Sequence, residues 1–210
     1  GIAQTFAQYG FQVILQDVVE PALQKARATI EKSLGKFVEK GKLAAGDRDA
    51  TLARLTATSD LNLMAQADFI VEAATERVDL KLKLFGELDR ISRPGVILGS
   101  NTSSISITML GAATRRPELV LGMHFMNPVP LMTLVELIKG QATSADAMAT
   151  ATTLCQKLGK TPVEAADYPG FIANRILMPM INEAIFALME DVGTSEAIDT
   201  VMKLGMNHPM

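Results

Sequence analysis

Short, unbroken runs of apolar β-forming residues, each followed by a longer stretch with helical spacing, recur from Phe11 to Ala166, and this alternation constrains the fold more than any other feature of the sequence. FQVIL at 11–15 is the first such run, and others fall at 55–58, 69–73, 96–99, 119–124, 133–137 and 162–166. Their length and content are those of strands. Between the first two runs, Leu23, Ala26, Ile30, Leu34, Phe37 and Val38 recur three and four residues apart, from Pro21 to Gly41, which predicts a long amphipathic helix. The same spacing predicts helices over 1–9, 60–66 and 78–91. Strands that lack polar alternation have both faces covered, so the chain reads as an α/β fold: a doubly wound parallel sheet with helices on both sides.

Asp167-Tyr168-Pro169-Gly170 interrupts this rhythm, and beyond it Ile176, Leu177, Met180, Ile181, Ala184, Ile185 and Leu188 lay a broad apolar stripe along a helix. Thr194 or Ser195 can cap one more helix before Gly205. The expected organisation is therefore an α/β domain over 1–168 and the beginning of an all-α domain over 169–210.

A formal charge of -3 and a pI of about 5.5 lack the clustered basic excess of a nucleic-acid binder. No run of about 18 apolar residues is present to span a bilayer, so no membrane partner is expected. Cys155 is the one cysteine, which excludes an internal disulfide and suits a reducing cytoplasm, with the thiol read as a small buried apolar group. Two histidines, His124 and His208, give neither a metal-ligand spacing nor a Ser-His-Asp arrangement, so no metal is expected.

A helix opening at Gly1, followed by a strand tipped by Asp17, has the form of the second half of a βαβ dinucleotide-binding unit. In such a unit the helix start faces a pyrophosphate and the acid bonds ribose hydroxyls, an arrangement that favours NAD over NADP. A solvated acid at a strand end is the plainer alternative. His124 stands at the C-terminal edge of the run 119–124, where open α/β sheets bind ligands. Glu136 lies inside the next run, LVELI, where a carboxylate is costly to bury without a partner and an imidazole is a natural one. A satisfied structural histidine and a strand-edge acid remain the alternative. Ser100-Asn101-Thr102-Ser103-Ser104 follows the run 96–99 on the same sheet edge and suits either ligand contacts or, for most of the five, helix capping. Asn174, early in an apolar helix, needs hydrogen-bond partners. Glu72, Glu76 and Lys81 read equally well as ligand contacts or as a solvated ion-pair cluster.

Taken in order, VILQDV, IVEAATERVDLKLKLF, SNTSS, GMHFMNPVPLMTLVELI and DYPGFIANRIL resemble the L-3-hydroxyacyl-CoA dehydrogenase family along almost the whole chain. The HFMNPVPLM wording is similar to the family's bacterial 3-hydroxybutyryl-CoA branch. The resemblance implies a Rossmann-like NAD-binding domain and NAD-dependent oxidation of an acyl-CoA at its 3-hydroxyl, with His124 and Glu136 as the catalytic pair. It further implies substrate contacts at Ser103 and Asn174, cofactor contacts at Gly1, Asp17, Glu76, Lys81, Ser103 and Asn127, and CoA contacts at Ser33 and Lys40. A solvated basic face through Lys32, Lys36 and Lys40 is the other reading of that helix. Relative to the family, a strand and most of a glycine-rich turn are expected before Gly1, and further helices, through which two copies would pair, beyond Met210. A related β-hydroxyacid or sugar-acid dehydrogenase is the rival function, and an inactive binding fragment the other.

Overall fold

A computed structural model describes residues 1–209 and divides the chain into two compact units, Gly1–Tyr168 and a second from Pro169 onward. Met210, the last residue of the expected second domain, lies outside the described residues.

The first unit opens with α1 (Ile2–Gln8), β1 (Val13–Gln16) and the long α2 (Glu20–Glu39), which carries a proline in its first turn. Then come α3 (Ala45–Ala53), β2 (Leu55–Thr58), a 3-10 helix (Leu61–Gln66), β3 (Phe69–Glu72), α4 (Val78–Ile91), β4 (Ile97–Ser100) and α5 (Ile107–Ala112). The series closes with β5 (Val120–Phe125), β6 (Leu134–Lys139), α6 (Ala145–Lys157) and β7 (Thr161–Ala166). The helix expected over 60–66 is a 3-10 turn, capped where the Asp60 carboxylate accepts from Asn62 N–H at 2.9 Å. Nothing in AGDRDATLA announces α3: it has few apolar residues, and its one buried side chain is Thr51. It is held instead by packing on α1 and α2.

The strands form two sheets, a parallel pair β1-β2 and a five-stranded sheet in the order β3-β4-β5-β6-β7. Every pair is parallel except β5-β6, which is antiparallel, so the sheets are parallel-dominated as expected. The connection explains the exception. Met126 to Thr133 is shorter than the dozen or so residues that a parallel crossover requires, whereas an antiparallel return needs only a turn. Gly122 faces Ile138 across this pair, and a Cβ there would lie 2.8 Å from the Ile138 side chain, so close strand contact requires glycine.

All six residues of β5 are buried, as expected of a central strand. Leu121, Met123, Phe125, Val135 and Leu137 pack with Met148, Ala151 and Leu158 in and after α6, and Phe6 of α1 meets both Phe11 and Phe125 edge to face at 5.7 and 6.5 Å. Each such side chain contributes roughly 1.5–3 kcal/mol by leaving water, and together they fix β5 and the helices around it. At the end of the unit, the Asp167 carboxylate accepts from Ser106 Oγ (2.7 Å), Ile107 N–H (3.0 Å) and Thr108 N–H (2.8 Å), tying the exit of β7 to the start of α5. Burial alone would raise the pKa of this acid; the donors prevail and hold it below the ordinary value.

Cys155 is fully buried in this core, and burial pushes its thiol up to about 12. A thiolate is the reactive species, so iodoacetamide at pH 8 should leave the native protein unlabelled and modify it only after denaturation. Stoichiometric labelling of folded protein, measured by intact mass, would contradict this packing.

The second unit consists of α7 (Ala173–Met189) and α8 (Ser195–Thr200), followed by one π-type turn (Val201–Gly205). Thr194 caps α8, its hydroxyl accepting from Ala197 N–H at 3.2 Å. No residue of α7 or α8 is buried, and the stripe read from the sequence stands exposed at Ile176, Ile181, Ile185 and Leu188.

Candidate active site

His124 is the fifth residue of β5 and Glu136 the third of β6, and the antiparallel register sets them directly opposite one another. Paired residues in such a ladder project to the same face with Cβ atoms about 4.5–5.5 Å apart, so an imidazole and a carboxylate meet there without distortion. Nδ1 of His124 lies 2.7 Å from Oε2 of Glu136, with the side chains 8% and 2% exposed. A carboxylate only accepts, so Nδ1 carries the hydrogen and Nε2 of the neutral ring is left with its lone pair. Ser103 Oγ stands 3.1 Å from that nitrogen.

Ser103 belongs to the loop that leaves β4, and this loop is not a helix cap. Ser106 performs that function for α5, its hydroxyl accepting from Met109 N–H at 3.2 Å, which corrects the capping expectation for the SNTSS segment. Its five residues instead lock the loop to its surroundings. Asn101 Oδ1 accepts from Phe125 N–H (2.9 Å), directly after His124, and Asn101 N–H donates to Glu72 O (2.7 Å). Thr102 Oγ1 accepts from Ile105 N–H (2.9 Å), while Glu76 Oε1 accepts from Ser103 N–H (3.0 Å), Ser104 N–H (3.2 Å) and Ser104 Oγ (3.0 Å), and from Thr102 Oγ1. Burial alone would raise the Glu76 pKa, but these donors and the charge of Lys81 hold it below the usual carboxylate range.

Of the two readings of Glu72, Glu76 and Lys81, the solvated cluster does not hold for Glu72 and Lys81. Lys81 and Glu72 are each 1% exposed at the side chain and pair at 2.6 Å, and only Glu76 reaches the surface. Lys81 thus has no open path to a ligand in this arrangement except by way of Glu76.

Asp17 follows β1, half-buried, with Oδ1 accepting from Val19 N–H at 2.9 Å, which fixes its carboxylate beyond the strand tip. Gly1 caps α1, and a Cβ on it would come within 3.0 Å of Val129. Asn127 is exposed in the loop after β5. That loop is clamped from below by Lys160, whose ammonium donates to Val129 O and Met132 O, both at 2.6 Å, and whose pKa burial pushes down. Ser33 Oγ accepts from Gln4 Nε2 at 3.0 Å, so this hydroxyl faces α1, while Lys40 is exposed at the C-terminal end of α2. Asn174 is half-buried in the first turn of α7, in the second unit.

Lys160 carries no reading from the sequence, whereas Asn101 and Glu72 are read there only as members of the SNTSS segment and of a charged cluster, not for the contacts they make. Glu72 had left a signal. It lies inside the apolar run FIVEA as Glu136 lies inside LVELI, and the same cost of burying a lone acid applied to both. Lys160, next to a glycine at a strand start, had left none.

An acid beyond the tip of β1, a glycine in close approach to Val129 and an exposed asparagine in the loop after β5 suit a dinucleotide. Residues 1–168 match the family described as 3-hydroxyacyl-CoA dehydrogenase, NAD binding domain, and residues 170–210 match 3-hydroxyacyl-CoA dehydrogenase, C-terminal domain. The whole chain is 52% identical to 75% of the probable 3-hydroxybutyryl-CoA dehydrogenase of Deinococcus radiodurans. It is 48% identical to 72% of the 3-hydroxybutyryl-CoA dehydrogenase of Bradyrhizobium diazoefficiens. The crystal structure of (S)-3-hydroxybutyryl-CoA dehydrogenase from Ralstonia eutropha superposes with a TM-score of 0.97 at 46% identity, over 99% of this chain and 74% of that one. With the family's two domains matched in succession and the relatives alike along the full length of the chain, the protein belongs to the 3-hydroxyacyl-CoA dehydrogenases, a family of NAD-dependent oxidoreductases.

Proposed function

We propose that this protein oxidises (S)-3-hydroxybutyryl-CoA to the 3-oxoacyl-CoA, with His124 as the general base and Glu136 as the group that orients it. The observation that carries this reading is the alignment of the ring: Nδ1 bound by a buried carboxylate at 2.7 Å and Nε2 turned toward Ser103 at 3.1 Å. NAD⁺, which Asp17 and Gly1 would hold, would supply the hydride acceptor for C3 of the substrate. His124 Nε2 takes the proton of the 3-hydroxyl as that hydride leaves, and the buried Glu136 stabilises the imidazolium formed. In the reverse direction the imidazolium returns the proton to the oxygen. Ser103 Oγ, within reach of the same nitrogen, holds the C3 oxygen in line.

For the cofactor, Asp17 takes the ribose hydroxyls, Gly1 lets the backbone approach the pyrophosphate, Asn127 borders the nicotinamide, and Glu76, backed by Lys81, borders the Ser103 loop. For the CoA nucleotide, Lys40 and Ser33 on α2 are the contacts, Lys40 with its ammonium exposed. The apolar stripe of α7, exposed at Ile176 and Ile185, supports pairing of two copies through the second unit.

Steady-state oxidation of 3-hydroxybutyryl-CoA and of free 3-hydroxybutyrate tests the substrate assignment: turnover should require the CoA ester, and equal rates on the free acid would favour a general β-hydroxyacid dehydrogenase. In the same assay NAD should be preferred over NADP at least about tenfold in kcat/KM, a difference of about 1.4 kcal/mol. The Asp17 carboxylate would face the added 2'-phosphate as a like charge. Replacing Asp17→Ser should erase most of this preference, and an unchanged ratio would remove Asp17 from that position.

A further inference from the structure

Glu72, Lys81 and Glu76 form a chain of charge that runs from inside the sheet to the catalytic loop. Glu72 is the last residue of β3, and its carboxylate is fully engaged: Oε2 accepts from Ser100 Oγ at 2.7 Å and Oε1 from Lys81 Nζ at 2.6 Å and from Ala74 N–H. The Lys81 ammonium has three protons and three acceptors, Glu72, Ala74 O at 3.1 Å and Glu76 Oε2 at 3.4 Å. Glu76 in turn spends its other oxygen, Oε1, on Thr102, Ser103 and Ser104. Ser103 then presents its hydroxyl to His124. Both ends of the Ser103 loop thus depend on one carboxylate, since Ser100 at its start touches Glu72 directly and Ser103 touches it through two ionic links.

We propose that Glu72 is a positioning residue for the dehydrogenase reaction: by holding Lys81 inside the protein it fixes Glu76, and through Glu76 it fixes the distance from Ser103 Oγ to His124 Nε2. This rests on the reading of Ser103 and His124 given above. The physical reason lies in charge balance. With Glu72 present, one ammonium sits between two carboxylates and is held inward, nearer Glu72 at 2.6 Å than Glu76 at 3.4 Å. With a neutral amide in its place, the ammonium is drawn toward Glu76 alone, and the loop bound to Glu76 shifts with it. A displacement of about 1 Å at a reacting group can cost about 10²-fold in rate, so a fraction of that shift is visible in turnover.

A double-mutant cycle on the full chain decides the matter. Glu72→Gln keeps the shape and most of the hydrogen bonds; it should lower kcat about tenfold while KM for the acyl-CoA stays within about twofold. In a Ser103→Ala background the same change should cost less than about twofold, because the group it positions is gone. Amide hydrogen exchange at Ser103 and Ser104 should accelerate in Glu72→Gln while the exchange of β5 and β6 stays slow. Glu76→Gln, whose side chain is 41% exposed and whose folding is not at risk, should show the same non-additivity with Ser103→Ala. Fully additive costs in either cycle, or unchanged exchange at Ser103 and Ser104, would overturn the proposal. Ser103→Ala turning over at the wild-type rate would instead overturn the functional reading of Ser103, and the positioning role with it.

Discussion

Replacing His124 with Gln should lower turnover by about 10²–10⁴-fold, the range that a positioned general base contributes. Gln is chosen because its amide can still donate to the Glu136 carboxylate, which lies 2% exposed and must not be left without a partner. The variant therefore keeps the buried hydrogen bond and the packing of β5 on β6, and loses only a nitrogen able to carry a proton away from the substrate hydroxyl. Affinity for NADH, measured by fluorescence titration, should stay within a few-fold of wild type, as His124 is assigned no cofactor contact. The single measurement that matters is kcat at saturating acyl-CoA and NAD. A value near wild type would make His124 a structural residue whose sole purpose is to satisfy Glu136.

Lys81→Met should be the most destabilising of the conservative changes in the first unit, by roughly 3–5 kcal/mol, because it leaves the Glu72 carboxylate buried beside apolar atoms. The methionine fills nearly the same volume, so cavity formation adds little. For a chain of this size each kcal/mol shifts the thermal midpoint by roughly 2–4 °C, and the expected drop is about 6–20 °C. The control is the pair removed together: Glu72→Leu with Lys81→Met takes both charges out of the interior and should recover most of the lost midpoint, since a buried ion pair is often no more stabilising than a hydrophobic replacement. A single variant that melts within about 2 °C of wild type would mean that water reaches the pair and that its burial has been overstated. The double variant separates two consequences of the same charges. It should fold, yet turn over slowly, because Glu76 has lost the cation that holds it.

These two experiments bear on opposite sides of what can be read locally. His124 and Glu136 were visible as unlike residues in apolar runs, a titratable ring at a strand end and an acid where an acid is costly. Glu72 carries the same signal, but Lys81, five residues past Glu76, offers a competing explanation, since neighbouring charges in sequence look like a solvated cluster until burial is known. The SNTSS segment was legible as polar and as following a strand; its polar groups suit capping as well as loop closure, and nothing local distinguishes the two.

The order of strands and helices, the break before Pro169, the acid at the tip of β1 and the residues able to do acid–base chemistry were determined by the sequence itself, because buried strands and amphipathic helices write their periods into adjacent residues. α3 escaped because its helix is held by contacts with α1 and α2 and not by an apolar stripe of its own. The direction of β6 and its register were decided by tertiary structure alone. Had β6 slipped by one residue against β5, Glu136 would have turned to the opposite face and His124 would have lost its carboxylate. Register is set by pairing between strands and by the length of the loop joining them, energies that belong to two segments at once and that neither segment encodes by itself.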